Sequence, residues 1–282
     1  MPDVTEKLGK SLIQHGKDSD RIYLMKLDPR DEPTIIGQLE QLAEANDYGK
    51  LFCKVPAAAA GAFGQAGYHE EARIPRFFHG QTDVAFMSRF RKPGRHCVSD
   101  KQQAAIERAL ALAEQKRTSA LVRSQTDYPI RSLGEPEAPQ LAALYRRVFT
   151  SYPFPISDQA YLRETMATHV RYFGAFDNGR LVAASSAETD RKARNAEMTD
   201  FATDPEHRQQ GLAVALLQAM EADMKAADYA TLYTIARAVS VGMNATFARC
   251  GYRFGGTLIN NTQIAGNIES MNIWYKNLAS SD

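Results

Sequence analysis

The sequence predicts an α/β protein with a mixed sheet in two parts, and three observations carry that expectation. Apolar runs rich in aromatic and β-branched residues alternate with amphipathic helical stretches along the chain. Asn178-Gly179 stands between two such runs, the signal of a two-residue hairpin turn and so of antiparallel neighbours. A third pattern, strand, Asp-Pro, helix, Asp-Tyr, strand, small helix, Gly-Tyr, two strands, occurs twice.

Residues 1–20 are polar, with Gly9, Gly16 and Asp18-Ser19-Asp20, and are expected to form a flexible terminus. Arg21–Leu27 is an apolar and aromatic strand stopped by Asp28-Pro29. Pro33–Asn46 carries Ile35, Ile36, Leu39, Leu42 and Ala43 at helical spacing. A short strand, Leu51–Val55, closes at Pro56, a small helix over Ala57–Gln65 ends at Gly67, and strands follow at Glu71–Phe78 and Asp83–Arg89. Residues 21–98 thus form a βαβαββ unit. Ser99–Arg117 is a helix, with Ser99 and Gln102 as a capping box and Ile106, Ala109 and Ala113 in its buried stripe. Residues 99–127 are read as the connection.

The second part, residues 128–282, begins with a strand at Pro129–Leu133, a helix at Glu137–Phe149 and a helix at Asp158–Ala167 capped by Ser157. Strands Val170–Asp177 and Arg180–Glu188 flank the Asn-Gly turn, and a third strand, Asn195–Thr203, stops at Asp204-Pro205. A helix over Gly211–Ala226, a strand over Thr231–Ile235 and a helix over Val241–Cys250 follow. Two strands, Arg253–Asn260 and Glu269–Tyr275, complete the order. A meander feeding a βαβ unit gives a mixed sheet with helices on both faces.

Composition narrows the function. Thirty-four Lys+Arg against 33 Asp+Glu leave a net charge of +1 in 282 residues, so binding of nucleic acid by bulk charge is not expected. Mean hydropathy is −0.39 and no apolar run reaches membrane-spanning length. The first residues lack the basic-then-apolar layout of a signal peptide. Cys53, Cys97 and Cys250 are odd in number and widely spaced, and the six His stand singly, so neither a disulfide framework nor a metal site is suggested. The expectation is a cytoplasmic, metal-free protein.

In the repeat, Asp28-Pro29 answers Asp204-Pro205, Asp47-Tyr48 answers Asp228-Tyr229, and Gly67-Tyr68 answers Gly251-Tyr252. Asp28 to Asp47 spans 19 positions and Asp204 to Asp228 spans 24. The missing five fall where the second copy holds Arg208-Gln209-Gln210-Gly211-Leu212-Ala213. Small residues and successive amides at a helix N-terminus make a cradle for a pyrophosphate, with Arg208 adding charge. Alone such a turn is a weak signal. The first copy, lacking it, is expected to bind no cofactor and to cover the second copy or build an interface.

The order Glu197 to Pro205, then Arg-x-x-Gly-x-Ala, then an amphipathic helix, with Asn244–Tyr252 downstream, resembles the Gcn5-related N-acetyltransferase (GNAT) family from about Tyr128 to Leu278. The fold expected is therefore a GNAT acyl-CoA N-acyltransferase domain preceded by a degenerate half-GNAT-like domain. The resemblance implies acetyl-CoA as co-substrate, its pantetheine arm along Phe201, Ala202 and Thr203 and its pyrophosphate on Gln209, Gln210, Gly211, Leu212 and Ala213 beside Arg208. Asn244 and Phe247 belong to the next cofactor-contacting helix.

The carboxy-terminal run, Gly255 to Thr262, Gly266, then Glu269 to Lys276, is similar to the β-lysine N-acetyltransferases of that family. This implies acetyl transfer to the ε-amine of β-lysine, giving Nε-acetyl-β-lysine, a compatible solute, with lysine 2,3-aminomutase as functional partner. Another small amine as acceptor, or a non-catalytic acyl-CoA-binding module, are the competing readings. A homodimer is a further expectation.

An amine with pKa near ~10.4 is protonated at neutral pH, so its nitrogen must lose a proton before it attacks. Glu197, eleven positions before Arg208, stands where several relatives place a general-base glutamate. Asp200, three residues on in the same strand, is expected on the opposite face. One of the two faces the substrate cleft. Relatives often place a thiolate-protonating tyrosine where this chain has Phe247; Tyr252 or Tyr233 are substitutes, or the thiolate leaves unassisted. For the unreacted amine and the carboxylate of β-lysine the candidates are Glu188, Asp190, Glu269, Arg171, Arg237, Asn260 and Asn261. Tyr152-Pro153-Phe154-Pro155 is a candidate wall over the substrate.

Overall fold

The computed structural model describes residues 3–118, 126–264 and 266–278. Residues 119–125 of the expected connection lie outside that set. The amino-terminal elements are β1 (Val4–Leu8), β2 (Ser11–Gly16), β3 (Arg21–Lys26), α1 (Ile35–Ala45), β4 (Lys50–Pro56), α2 (Ala60–Gln65), β5 (His69–Phe78), β6 (Thr82–Phe90) and α3 (Asp100–Thr118). Then come β7 (Ile130–Leu133), α4 (Ala138–Val148), α5 (Gln159–Thr168), β8 (Val170–Asp177), β9 (Arg180–Asp190) and β10 (Asn195–Thr203). The last are α6 (Leu212–Ala226), β11 (Thr231–Arg237), α7 (Val241–Arg249), β12 (Arg253–Ile264) and β13 (Asn267–Asn277). No helix among the described residues is long and apolar enough to cross a membrane.

Two local expectations are corrected. The terminus expected to fray is the β1–β2 hairpin. Its turn is held from outside by the Asp31 carboxylate, which accepts from the Lys10 and Ser11 amides and the Ser11 hydroxyl at 2.7 Å each. Ile13 is its buried anchor, while β1 is an edge strand with no buried residue. Helix α5 is capped by Asp158, not Ser157; its carboxylate accepts from Ala160 N at 2.8 Å.

Among the described residues all strands join one sheet, in the order β1-β2-β3-β4-β6-β5-β12-β13-β11-β10-β9-β8-β7. The two halves mirror each other about the β5–β12 contact. β3 and β4 are parallel, as are β10 and β11; β4 pairs β6 as β11 pairs β13. The repeated Asp-Tyr and Gly-Tyr dipeptides are helix stops in both copies. Asp47 and Asp228 take left-handed φ of 50° and 63°, and Gly67 and Gly251 both 82°. The following tyrosine amide bonds back across the last turn each time: Tyr48 to Ala43, Tyr229 to Met224, Tyr68 to Phe63 and Tyr252 to Phe247, at 2.9–3.1 Å.

The seam is narrow, with Gly256 opposite Ala72. A Cβ on Gly256, whose φ is 140°, would lie 2.6 Å from Ala72 Cα, so only glycine permits the approach. Beside it the fully buried Lys50 ammonium bonds Glu71 Oε2 and the Ile259 carbonyl, both at 2.7 Å, and Glu71 Oε1 accepts from Ile259 N at 2.8 Å. The pair therefore closes both backbone groups of a residue from the other repeat. Burial brings the Lys50 pKa down to about 8 against the attraction of Glu71. Helix α3 packs on the second half, placing Leu110 and Ala113 in the core with Leu217, Phe247 and Tyr252.

The two inner sheet faces pack on each other. Tyr23, Phe52 and Phe86 of the first half share a core with Tyr233, Leu258, Met271 and Ile273 of the second. Replacing Lys50 by Met strands the Glu71 carboxylate in that seam and is expected to cost about 3–5 kcal/mol of unfolding free energy. Urea denaturation measures it; a loss below ~1 kcal/mol would show that the pair does not hold the seam.

Candidate active site

Strand β10 positions the chemistry. Its ladder to parallel β11 covers only Asn195–Thr231, Ala196–Leu232 and Glu197–Tyr233. Beyond Glu197 the two strands are no longer laddered, and a cavity of about 430 Å³ lies there, with Thr199, Asp200 and Phe201 on one side and Thr234 to Arg237 on the other. Against β9 the register breaks between Thr199 and Ala202, and Asp200 takes φ of 54°. This bulge adds one residue to the inner face. Glu197 and Asp200, expected on opposite faces, therefore both line the same cavity.

Both carboxyls titrate high. Burial pushes the Glu197 pKa up to about 7; Glu188 adds to the rise, Lys54 and a Tyr233 hydrogen bond oppose it, and Asp200 adds a smaller repulsion. Burial also raises Asp200, against the bonds that it accepts from Ser186 Oγ and Tyr152 Oη at 2.5 Å each. Asp200 is thus held by two hydroxyls, whereas Glu197 has the more weakly committed carboxylate.

Lys54 belongs to the amino-terminal repeat. Its Nζ donates to Tyr233 Oη at 3.1 Å, and the nearby Tyr23, Glu197 and Glu188 charges outweigh desolvation and raise its pKa. Arg21, Tyr23 and Phe52 of that repeat, and Gln14 of β2, also line the cavity. A second cleft of about 920 Å³, again lined by both halves, shares Lys54 and Glu188 with the first. The first copy thus supplies part of the cavity wall, and with it charge.

The loop before α6 is exposed from Arg208 to Gly211. Gln209 and Gly211 have φ of 66° and 73°, and the helix begins at Gly211 with no side-chain cap and no acid in its first turn. A helix N-terminus with no side-chain cap and no acid in its first turn, at the positive end of its dipole, is compatible with an anion. Leu212 is buried in the core and Ala213 half-buried. The corner before the loop is fixed by Asp204, which accepts from Arg147 and Arg180 at 2.8 and 2.6 Å.

Other sequence candidates are placed differently. Asn244 is fully buried. Its amide donates to the Arg237, Ala238 and Ser240 carbonyls, and its Oδ1 accepts from Asn272 Nδ2 and Trp274 Nε1 at 2.8 Å each. It braces β11 and β13 with no polar atom left for a ligand. Phe247 lines the cavity edge-to-face with Phe201, centroids 5.6 Å apart. Tyr252 packs behind Phe247 in the core and not on the cavity wall. Glu269 is clamped in a two-bond pair by Arg237 at 2.7 and 2.5 Å, Asn260 donates to the Arg95 and Cys97 carbonyls, and Asp190 pairs with Lys26 across the repeats. Of the seven candidates for the charged ends of the substrate, Glu188, Arg237 and Asn261 line this cavity.

Sequence reasoning missed Arg21, Lys54 and Ser186. The available signal was a lysine inside the otherwise apolar strand Leu51–Val55, since a charge at a strand centre needs a partner.

A splayed pair of parallel strands, raised carboxyls beside the splay and a helix N-terminus without a side-chain cap thus all belong to the carboxy-terminal half. The acetyltransferase (GNAT) family matches residues 138–252, and the chain belongs to that family: it is an acetyl-CoA-dependent N-acetyltransferase. It is 38% identical over 270 residues to a β-lysine N(6)-acetyltransferase of Methanococcus maripaludis, covering 96% of this chain and 97% of that one. A β-lysine N(6)-acetyltransferase of Methanosarcina mazei is 31% identical over 86% of this chain and 97% of its own length. N-acetyltransferase YodP of Bacillus subtilis is 44% identical over 49% of this chain and 50% of its own. A solved ribosomal-protein-S18-alanine N-acetyltransferase from Escherichia coli, 19% identical, covers 55% of this chain and 96% of its own with a TM-score of 0.48.

The charge arrangement has a direct check. In ¹³C-glutamate NMR the Glu197 carboxyl should titrate near pH 7 in the wild type. In Lys54→Met the midpoint should move upward, because the opposing positive charge is gone. An unchanged midpoint would remove Lys54 from this account.

Proposed function

We propose that the chain transfers the acetyl group of acetyl-CoA to the ε-amine of β-lysine. The single observation that carries this is the 38% identity to the Methanococcus maripaludis β-lysine N(6)-acetyltransferase, which runs through both repeats rather than the acetyltransferase half alone. The acid-lined cavity supports a cationic amine as acceptor. Acetylation leaves β-lysine with one ammonium and one carboxylate, a net-neutral zwitterion, which suits the accumulation expected of a compatible solute. The supplying reaction must move an amine from the α- to the β-carbon of lysine, the chemistry of lysine 2,3-aminomutase.

The residues fit acetyl-CoA. The α6 N-terminus at Gly211, Leu212 and Ala213, with its dipole and no side-chain cap, suits its pyrophosphate, with Arg208, Gln209 and Gln210 around it. The unladdered edge of β10 at Phe201, Ala202 and Thr203 suits the amides of the pantetheine arm. When bound, acetyl-CoA supplies an activated thioester. Glu197 takes the proton from the substrate ammonium, directly or through one water, freeing the nitrogen lone pair for the carbonyl carbon. A backbone N–H at the end of β10, at Ala202 or its neighbour, stabilises the developing oxyanion. Phe247 and Phe201 offer no proton, so the thiolate leaves without one from this wall; at pKa ~8.5 it is a competent leaving group.

Thiol release from acetyl-CoA with β-lysine, α-lysine, spermidine and an aminoglycoside tests the acceptor. Release with β-lysine foremost is expected. Release only with another amine, or cofactor binding without turnover, would sink the proposal. Because the base must be ionised, kcat/KM should rise with pH through about 7 and then level. Glu197→Gln should lose about 100-fold in kcat together with that acidic limb; a variant that keeps both shifts the role to Asp200. Gly211→Asp sets a negative charge against the pyrophosphate at a left-handed position that Asp tolerates. Its acetyl-CoA affinity should fall about tenfold or more, and an unchanged value refutes the placement.

A further inference from the structure

We infer that Arg21, Gln14 and Asn261 form an amino-acid-end subsite, in which the amino-terminal repeat holds the substrate's carboxylate and Asn261 its adjacent ammonium. The inference rests on the β-lysine reading above and assigns the selecting role to residues outside the 138–252 family match.

All three side chains are buried, at 3%, 1% and 1% exposure, and all three line the 430 Å³ cavity. Each leaves a buried polar atom without a hydrogen-bond partner among the described residues: Arg21 Nε, Gln14 Nε2 and Asn261 Oδ1. Two are donors and one is an acceptor. Open buried donors and acceptors are costly in a folded protein unless a ligand completes them.

The charges point the same way. Of the cations on the cavity wall, Arg237 is held by Glu269, and Lys54 sits among Tyr233, Glu197 and Glu188. Arg21 bonds only neutral oxygens. Its Nη1 donates to the Asn261 carbonyl at 2.7 Å and Thr262 Oγ1 at 2.8 Å, and its Nη2 to Gln14 Oε1 at 3.3 Å. Asp3 attracts it from further off, Arg95 repels it, and burial brings its pKa down to about 10, still charged at neutral pH. Stacking near Tyr23 and Phe52, with centroids at 5.3 and 5.8 Å, holds the guanidinium plane in place.

A desolvated guanidinium with an open Nε–H, beside an open amide N–H, is built for a carboxylate. The open acceptor, Asn261 Oδ1, belongs to the residue whose carbonyl already holds Arg21, so acceptor and cation are neighbours. In a β-amino acid the ammonium stands two carbons from the carboxylate carbon, which calls for such a pairing. The acids Glu197, Asp200 and Glu188 line the same cavity and suit the distal amine. The cavity thus recognises a diamine that also carries a carboxylate, and disfavours polyamines, which offer Arg21 nothing.

The test compares β-lysine with its carboxamide, which keeps both amines and removes the charge. In the wild type, kcat/KM should favour β-lysine by about 30-fold, mostly through KM. In Arg21→Met that ratio should collapse towards 1, in Gln14→Leu it should fall partway, and Arg21→Lys should restore part of it as a point charge. Acetyl-CoA binding by each variant reports folding, and Gln14→Leu and Arg21→Lys keep the test decisive should Arg21→Met not fold. A wild-type ratio near 1 with turnover of both compounds overturns the subsite and leaves β-lysine as substrate. An undiminished ratio in Arg21→Met or Gln14→Leu also overturns it. Turnover of neither compound overturns the β-lysine reading and the subsite with it.

Discussion

The Lys50–Glu71 pair sits where the two repeats meet, with the lysine side chain wholly buried and the glutamate 3% exposed. Taking two charges out of water is costly, and a lone buried pair repays it poorly. Here the pair also closes the Ile259 amide and carbonyl, which lie beyond the reach of the short β5–β12 ladder. Through that contact two half-sheets become one, and the inner faces of β3 and β4 meet those of β11 and β13. The cavity follows from this closure. Without it, the splay between β10 and β11 would have open solvent opposite it instead of Arg21, Tyr23 and Lys54.

The division of charge across that cavity has a physical logic. The second repeat brings the carboxyls Glu188, Glu197 and Asp200; burial, with the charge of Glu188 added, raises the pKa values of Glu197 and Asp200. The first repeat brings the opposing cation Lys54. A chain whose net charge is +1 can therefore hold a strongly polar site, because the compensating groups come from different repeats. The first copy thus contributes a cation to a wall of the cavity that the second copy lines with carboxyls.

Local features were legible in the sequence. β10 runs from Asn195 to Thr203 as its apolar alternation and Asp-Pro stop require, and the Ser99–Gln102 capping box opens α3. The paired Asp-Tyr and Gly-Tyr dipeptides are left-handed helix stops in both halves, so the repeat was visible through its caps. What escaped depends on distant partners. The bulge at Asp200 is a mismatch with β9, and no alternation within β10 announces it. The β1–β2 hairpin is tied by Asp31, twenty residues from Ser11, and its outer strand has no buried position to mark it. Asn244 looked like a ligand residue because of its place after the cofactor loop; its amide is consumed by three carbonyls that only the folded chain brings together. Arg21 and Lys54 resembled ordinary strand charges until the other repeat was set against them.

Helix α3 and the β5–β12 seam join the two walls of the cavity within one polypeptide. Had the walls come from separate molecules, assembly would compete with dilution and the fraction of complete sites would depend on protein concentration. Covalent connection fixes the local concentration of one wall at the other. The count of complete cavities then equals the count of folded chains, however sparse they are.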